Sequence, residues 1–114
     1  MSLTILLHTS DLKATREFYT STLGFTVEET AEGTITVEKE GAKLLFTEQN
    51  LWGSAPSCTG TLYITVSDVD AFYDSIRAIA SVAWELQDMP YGSREFAIKD
   101  CNGYCIAFQQ AQLP

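Results

Sequence analysis

The chain lacks several features that would assign it to a functional class at once. It has no apolar run of the roughly 18 residues that a membrane-spanning helix needs. Its N-terminus shows no basic stretch followed by an apolar core, so we expect no signal peptide. Lys and Arg are scarce, with 7 against 15 Asp and Glu and a net charge of −8. Because nucleic acids and anionic membrane surfaces are bound by neutralising phosphates, we expect neither as a partner.

Cysteine and histidine are also sparse. The three cysteines Cys58, Cys101 and Cys105 are an odd number without the pair spacing of a metal site. This usage is typical of free thiols in a reducing compartment, and it predicts a cytoplasmic protein. The one histidine, His8, fits a structural or surface residue, a pocket-lining group or an acid/base catalyst, in that order of preference.

What the chain does contain is the same strand-then-helix unit twice. The residues at 7–12 lead into Phe18-Tyr19, and those at 64–69 lead into Phe72-Tyr73. Asp11 and Asp68, half a chain length apart, are good N-caps for the two helices. A duplication of this kind predicts two copies of one supersecondary unit around a shared core.

Hydrophobic periodicity predicts an α+β fold of two tandem βαβββ units. We expect one domain over 1–114, with half-units at about 1–50 and 60–114 and a connector at 51–59. The strands are expected to form a curved, barrel-like mixed sheet with the helices on its outer face. The first helix should end at Gly24, and the apolar stripe of the second extends from Val69 to Ala80.

Two hairpins fix which side chains share a face. A two-residue turn at Glu40-Gly41 sets Thr36 opposite Leu45. In the second hairpin, a bulge at Gly103 sets Phe96 opposite Phe108 and places Glu95 on the face away from the helix. Without the bulge, Arg94 would take that face instead, but the apolar match favours the bulge.

The face away from the helices mixes polar and apolar residues, which suits a ligand-binding surface, although an ordinary solvated face is the alternative. The predicted ligand-binding residues are His8, Thr36, Leu45, Trp52, Thr61, Tyr63, Trp84, Glu95, Cys105 and Ala107. Trp52, Tyr63, Trp84 and Tyr91 are candidates for stacking on a flat ligand. Trp84 could equally belong to the helix-covered face.

Glu95 is the candidate for chemistry. A carboxylate on a partly apolar wall could act as a general base or bind a cationic group. The third reading is a cross-strand partner for a nearby Lys, Arg or Gln.

Three motifs resemble the glyoxalase / bleomycin resistance / extradiol dioxygenase superfamily, also called vicinal oxygen chelate proteins. They are Asp-Leu-(x)5-Phe-Tyr-(x)3-Leu-Gly-Phe at 11–25, Ser-Asp-Val-Asp at 67–70 and Tyr-Gly-Ser-Arg-Glu-Phe-(x)3-Asp-(x)2-Gly-Tyr at 91–104. The resemblance covers nearly the whole chain and implies the paired βαβββ fold. It leaves the activity open, because such families include lyases, dioxygenases and proteins that sequester antibiotics.

The resemblance also implies where a divalent metal would sit in the enzymes of the family. Those positions correspond here to Thr4, Leu45, Thr61 and Ala107. None of them offers the imidazole or carboxylate that such metals prefer. We therefore predict no metal and no cofactor, and a non-catalytic protein that binds or sequesters a small cationic or aromatic, antibiotic-like ligand. The alternative is a metal-dependent lyase, similar to lactoylglutathione lyase, or a dioxygenase. The resemblance further implies a homodimer.

Overall fold

A computed structural model describes residues 3–112, and the chain divides into two compact units, Met1–Ser57 and Cys58–Pro114, called unit 1 and unit 2. The division falls inside the predicted connector. Unit 1 contains β1 (Ile5–His8), α1 (Leu12–Glu17) with a π-helical turn (Phe18–Thr22), β2 (Thr26–Ala31), β3 (Thr34–Lys39) and β4 (Ala42–Thr47). Unit 2 contains β5 (Thr61–Val66), α2 (Val69–Ile76), β6 (Ser81–Asp88), β7 (Arg94–Lys99) and β8 (Cys105–Gln110).

The predicted tandem βαβββ plan is confirmed. The sheet of unit 1 has the strand order β1-β4-β3-β2, and that of unit 2 has the matching order β5-β8-β7-β6. In each sheet the first strand pairs with the last in parallel and the remaining pairs are antiparallel. Within residues 3–112 the eight strands thus form two four-stranded sheets, where the sequence predicted one barrel-like sheet. In each unit the strands are hydrogen-bonded in one sheet of that same unit.

Both helices begin where the aspartates predict. The Ala14 amide donates to Asp11 Oδ1 at 3.0 Å, and the Ala71 amide donates to Asp68 Oδ1 at 3.1 Å. The second helix is shorter than its apolar stripe indicates, because the amides of residues 79 and 80 both donate to the carbonyl of Ile76 and close the last turn there. Among the helices of residues 3–112, none is long and apolar enough to cross a membrane.

Each helix packs against one face of its own sheet through aromatic side chains. In unit 1 the ring of Tyr19 contacts Phe25 and Phe46, with centroids 5.3 and 5.0 Å apart. In unit 2 the Phe72 ring lies 4.8 Å from Phe108, which stacks on Phe96. Such pairs add about 0.5–1.5 kcal/mol each to the burial of apolar area. The opposite face of each sheet, which we call the distal face, therefore carries the residues that remain for function.

The predicted hairpin registers are confirmed. Thr36 pairs with Leu45, and Phe96 pairs with Phe108. Glu40 and Gly41 have φ of 50° and 88°, as a two-residue turn with two left-handed positions requires. Gly103, with φ of 88°, holds the bulge of the second hairpin, so Glu95 lies on the distal face of unit 2.

Candidate functional site

The distal face of unit 2 is built around a row of four residues, one from each strand. Tyr63, Ala107, Ala97 and Trp84 are successive cross-strand partners. The Trp84 ring packs on a buried floor formed by Ala97, Cys105 and Ala107. Trp84 therefore belongs to the distal face, which resolves the alternative left open by the sequence.

The register of β6 explains the position of Trp84. Val82 pairs with Ile98 and Trp84 pairs with Ala97, so two steps along β6 match one step along β7. The extra residue is a β-bulge, and it brings the Trp84 side chain to the face opposite that of Val82. Small residues at Ala97 and Ala107 leave room for the indole above them.

Glu95 is fully buried at 0% exposure, and two aromatic side chains donate hydrogen bonds to it. The indole Nε1 of Trp84 donates to Oε2 at 3.2 Å, and the hydroxyl of Tyr91 donates to Oε1 at 2.8 Å. Gln109 is the cross-strand neighbour of Glu95, but its side-chain amide donates to Thr65 Oγ1 at 3.1 Å. The carboxylate is thus satisfied by neutral donors, which offset part of the cost of burying it.

Tyr91 links Glu95 to the surface. It lies in the turn between β6 and β7, which is closed by the Met89 amide donating to the Ser93 carbonyl at 2.7 Å. Hydrogen bonding with Tyr63, and then with Glu95, raises the pKa of the Tyr91 hydroxyl above its usual range. The hydroxyl therefore stays protonated and remains a donor at neutral pH, although the residue is 65% exposed.

A cleft of about 440 Å³ adjoins Tyr91, whereas Glu95 and Trp84 do not line it. Its lining consists of Tyr63, Thr65, Tyr91, Gly92, Ser93, Gln109, Gln110 and Gln112. Two tyrosine rings and several amide groups offer apolar faces together with hydrogen-bond donors and acceptors, the combination typical of small-molecule sites. Sequence reasoning missed Ser93, Gln110 and Gln112, since only the turn at 89–93 and the end of β8 bring them together.

Unit 1 has a cleft of similar size and different chemistry. It measures about 430 Å³ and is lined by Thr4, Thr26, Glu28, Thr30, Thr36, Glu38, Lys43 and Leu45. The Lys43 ammonium lies 3.5 Å from a carboxylate oxygen of Glu38. The predicted residues Thr36 and Leu45 both line this cleft.

His8 and Trp52 come together at another part of unit 1. Their ring centroids are 5.9 Å apart at an interplanar angle of 34°, and Trp52 is half-exposed. Neither residue lines the cleft of its unit. Their predicted role in ligand binding stays a prediction, as it does for the other predicted residues.

The residues at the family's metal positions do not fit a divalent cation. Thr4 and Leu45 lie in the unit 1 cleft, where leucine has no donor atom. In unit 2 the Thr61 hydroxyl donates to Cys105 Sγ at 3.6 Å, and Ala107 lies in the floor beneath Trp84. The described part of the chain, residues 3–112, also has no group of three His, Cys, Asp or Glu side chains that could hold a metal. The absence of a metal stays a prediction.

Comparison with known proteins gives a family and a fold. The model of the Glyoxalase/Bleomycin resistance protein/Dioxygenase superfamily matches residues 3–108. The search of curated proteins found no match.

Three solved structures show the similarity in fold. TioX from Micromonospora sp. ML1 is 20% identical with a TM-score of 0.79, over 98% of this chain and 99% of that one. A bleomycin-binding protein from bleomycin-producing Streptomyces verticillus, complexed with copper(II)-bleomycin, is 22% identical with a TM-score of 0.73, over 98% and 97%. A glyoxalase/bleomycin resistance protein/dioxygenase from Nocardioides is 23% identical with a TM-score of 0.75, over 100% and 90%.

Proposed function

The chain belongs to the Glyoxalase/Bleomycin resistance protein/Dioxygenase superfamily, and from this membership we propose that it is a non-catalytic protein that binds a small molecule. The ligand is flat, aromatic and cationic, and it lies in the cleft of unit 2. There its ring packs against Tyr63 and Tyr91, and its charge lies toward Glu95. In this function the protein sequesters an antibiotic-like compound.

The observation that carries this proposal is the environment of Glu95. Buried carboxylates are rare unless they are paired with a positive charge. The ion pairs of Lys and Arg within residues 3–112 do not include Glu95, whose hydrogen bonds come from Trp84 and Tyr91. A cationic ligand in the cleft brings a positive charge to the other side of Tyr91, whose hydroxyl donates to Glu95, and the net charge of −8 favours its approach.

The fold neighbours are consistent with this reading. The Streptomyces verticillus protein with the same fold was solved with copper(II)-bleomycin bound. Proteins with the same fold can have different activities, so the proposal depends on the side chains of the cleft.

Quenching of tryptophan fluorescence tests the proposal. The experiment uses the Trp52→Phe background, in which Trp84 is the remaining indole. Proflavine, a flat aromatic cation, should quench Trp84 saturably at micromolar concentration, and flat anionic 9-anthracenecarboxylate should not. Tyr63→Ala should weaken the binding of proflavine by about tenfold, equivalent to about 1.4 kcal/mol.

The matched control is Ile79→Ala, which also truncates an exposed apolar side chain but lies outside the cleft. It should leave the affinity unchanged. Equal quenching by the cation and the anion, or equal losses from Tyr63→Ala and Ile79→Ala, would contradict the proposal.

The alternative function is a metal-dependent lyase or dioxygenase. What speaks against it is the donor chemistry at Thr4, Leu45, Thr61 and Ala107, two of which have no side-chain donor atom. Elemental analysis of protein purified without chelators tests it, together with glyoxalase activity after addition of nickel or zinc. A stoichiometric metal together with turnover would establish the alternative.

We also propose a cytoplasmic homodimer as the working form, without nucleic-acid or membrane partners. The cysteine usage supports the location, and the resemblance to a superfamily whose members of this length usually pair as two-fold dimers supports the dimer. Analytical ultracentrifugation should give twice the chain mass of 12.6 kDa. A single species at 12.6 kDa would contradict the dimer.

A further inference from the structure

The internal duplication allows the two distal faces to be compared residue by residue. In unit 1 the cross-strand row equivalent to Tyr63, Ala107, Ala97 and Trp84 consists of Leu6, Leu45, Thr36 and Glu28. Glu28 thus occupies the position of Trp84, since each is the outer partner of its row. The two units share the strand order, but β6 has a bulge before the row where β2 has none, and a different side chain covers the row.

This one difference changes what covers the centre of the sheet. In unit 2 the indole of Trp84 lies on the floor, and Ala97 and Ala107 are fully buried. In unit 1 the equivalent residues Thr36 and Leu45 are only half-buried, and Glu28 is exposed. The unit 1 cleft lies over this same row.

Trp84 therefore shows what kind of group fits this position in the fold. Neighbouring strands lie about 4.8 Å apart, so a ring of indole size spans about two of them. Its N–H group finds a carboxylate oxygen, that of Glu95, at 3.2 Å. The unit 1 cleft supplies carboxylates as well, from Glu28 and Glu38, and only the latter is paired with Lys43.

We propose that the unit 1 cleft is a second ligand site, which takes a flat aromatic amine in the place that Trp84 fills in unit 2. The ring packs over Thr36 and Leu45, and the ammonium group pairs with the carboxylate of Glu28. The threonine hydroxyls around the cleft accept further hydrogen bonds from the amine. This site shares no residue with the cleft of unit 2.

Tryptamine, an indole that carries an ammonium group, is the probe. In a two-dimensional amide NMR titration of the full chain it should shift the resonances of Thr36 and Leu45 saturably. Indole-3-acetate, its anionic counterpart, should cause no such shifts. Glu28→Trp places an indole from the chain itself in the cleft, as in unit 2, and should weaken tryptamine binding by at least about tenfold.

Glu32→Trp is the matched control, because it makes the same replacement at an exposed turn residue outside the cleft. It should bind tryptamine like the wild type. Glu28→Gln, which keeps the size of the side chain, should weaken tryptamine but not neutral tryptophol. This second variant keeps the test decisive if Glu28→Trp fails to fold.

The inference is overturned if tryptamine does not shift the resonances of Thr36 and Leu45. It is also overturned if Glu28→Trp binds tryptamine as tightly as the wild type. If that occurs while proflavine quenching still depends on Tyr63, only the second site fails. If the unit 1 shifts appear while proflavine quenching is absent or independent of Tyr63, only the proposed function of unit 2 fails.

Discussion

Removing one hydroxyl group from Tyr91 should measurably destabilise the protein. Tyr91→Phe keeps the ring and deletes the donor that lies 2.8 Å from Glu95 Oε1. Glu95 is then left fully buried with the indole of Trp84 as its donor. Removing a partner of a buried polar group costs about 1–3 kcal/mol, and Glu95 keeps a second donor, so we expect a loss of about 1.5 kcal/mol.

Urea denaturation followed by circular dichroism measures this loss. With an m-value of about 2 kcal/mol/M, a loss of about 1.5 kcal/mol lowers the midpoint by about 0.7 M. The control is Tyr73→Phe, because the Tyr73 ring packs on Phe96, on the face of β7 opposite to Glu95, and the loss of its hydroxyl should change the stability by less than about 0.5 kcal/mol.

A double-mutant cycle with Glu95→Gln then isolates the interaction energy between Tyr91 and Glu95. The coupling energy between Tyr91→Phe and Glu95→Gln should be about 0.5 kcal/mol or more, as for residues in direct contact. A midpoint for Tyr91→Phe equal to that of Tyr73→Phe, or a coupling energy of zero, would refute the role assigned to this hydrogen bond.

Three further predictions follow from the described structure. Asp68→Ala removes the cap of α2 and should cost about 1 kcal/mol in urea denaturation, whereas Asp74→Ala within the same helix should cost clearly less. The raised pKa of Tyr91 contributes stability that is fully present below the ordinary tyrosine pKa of 10.0 and is lost as the pH rises from there. Absorbance at 295 nm should accordingly show one phenol that ionises last in wild type and is missing from Tyr91→Phe. Gly103→Ala places a side chain at φ of 88° and should cost about 1–2 kcal/mol, while Gly60→Ala, where φ is not left-handed, should be nearly neutral. Equal midpoints for the two glycine variants, or for the two aspartate variants, would contradict these assignments.

Much of the fold could be predicted because it depends on local rules. The capping aspartates, the left-handed glycines and the apolar match between Phe96 and Phe108 each act over a few residues, and the structure confirms each of them. The face occupied by Glu95 followed from the same register.

The donors of Glu95 could not be predicted in the same way. Trp84 reaches the distal face through the bulge in β6, and neither Gly nor a break in the alternation marks that bulge in the sequence. Tyr91 reaches Glu95 from a turn whose conformation depends on the hydrogen bond between Met89 and Ser93. The sequence therefore indicated the carboxylate but not the two aromatic groups that hold it.

The bulge in β6 has a consequence for how duplicated units diverge. Side chains alternate strictly along a strand, so one residue more or less before position 84 decides which way that side chain points. In unit 1 the corresponding irregularity in β2 lies between Glu29 and Ala31, after the row that contains Glu28. The residue type at the outer end of the row, together with the local register that presents it, thus decides whether the chain covers its own sheet there. Two copies of one duplicated segment can in this way acquire different partners without any change in topology.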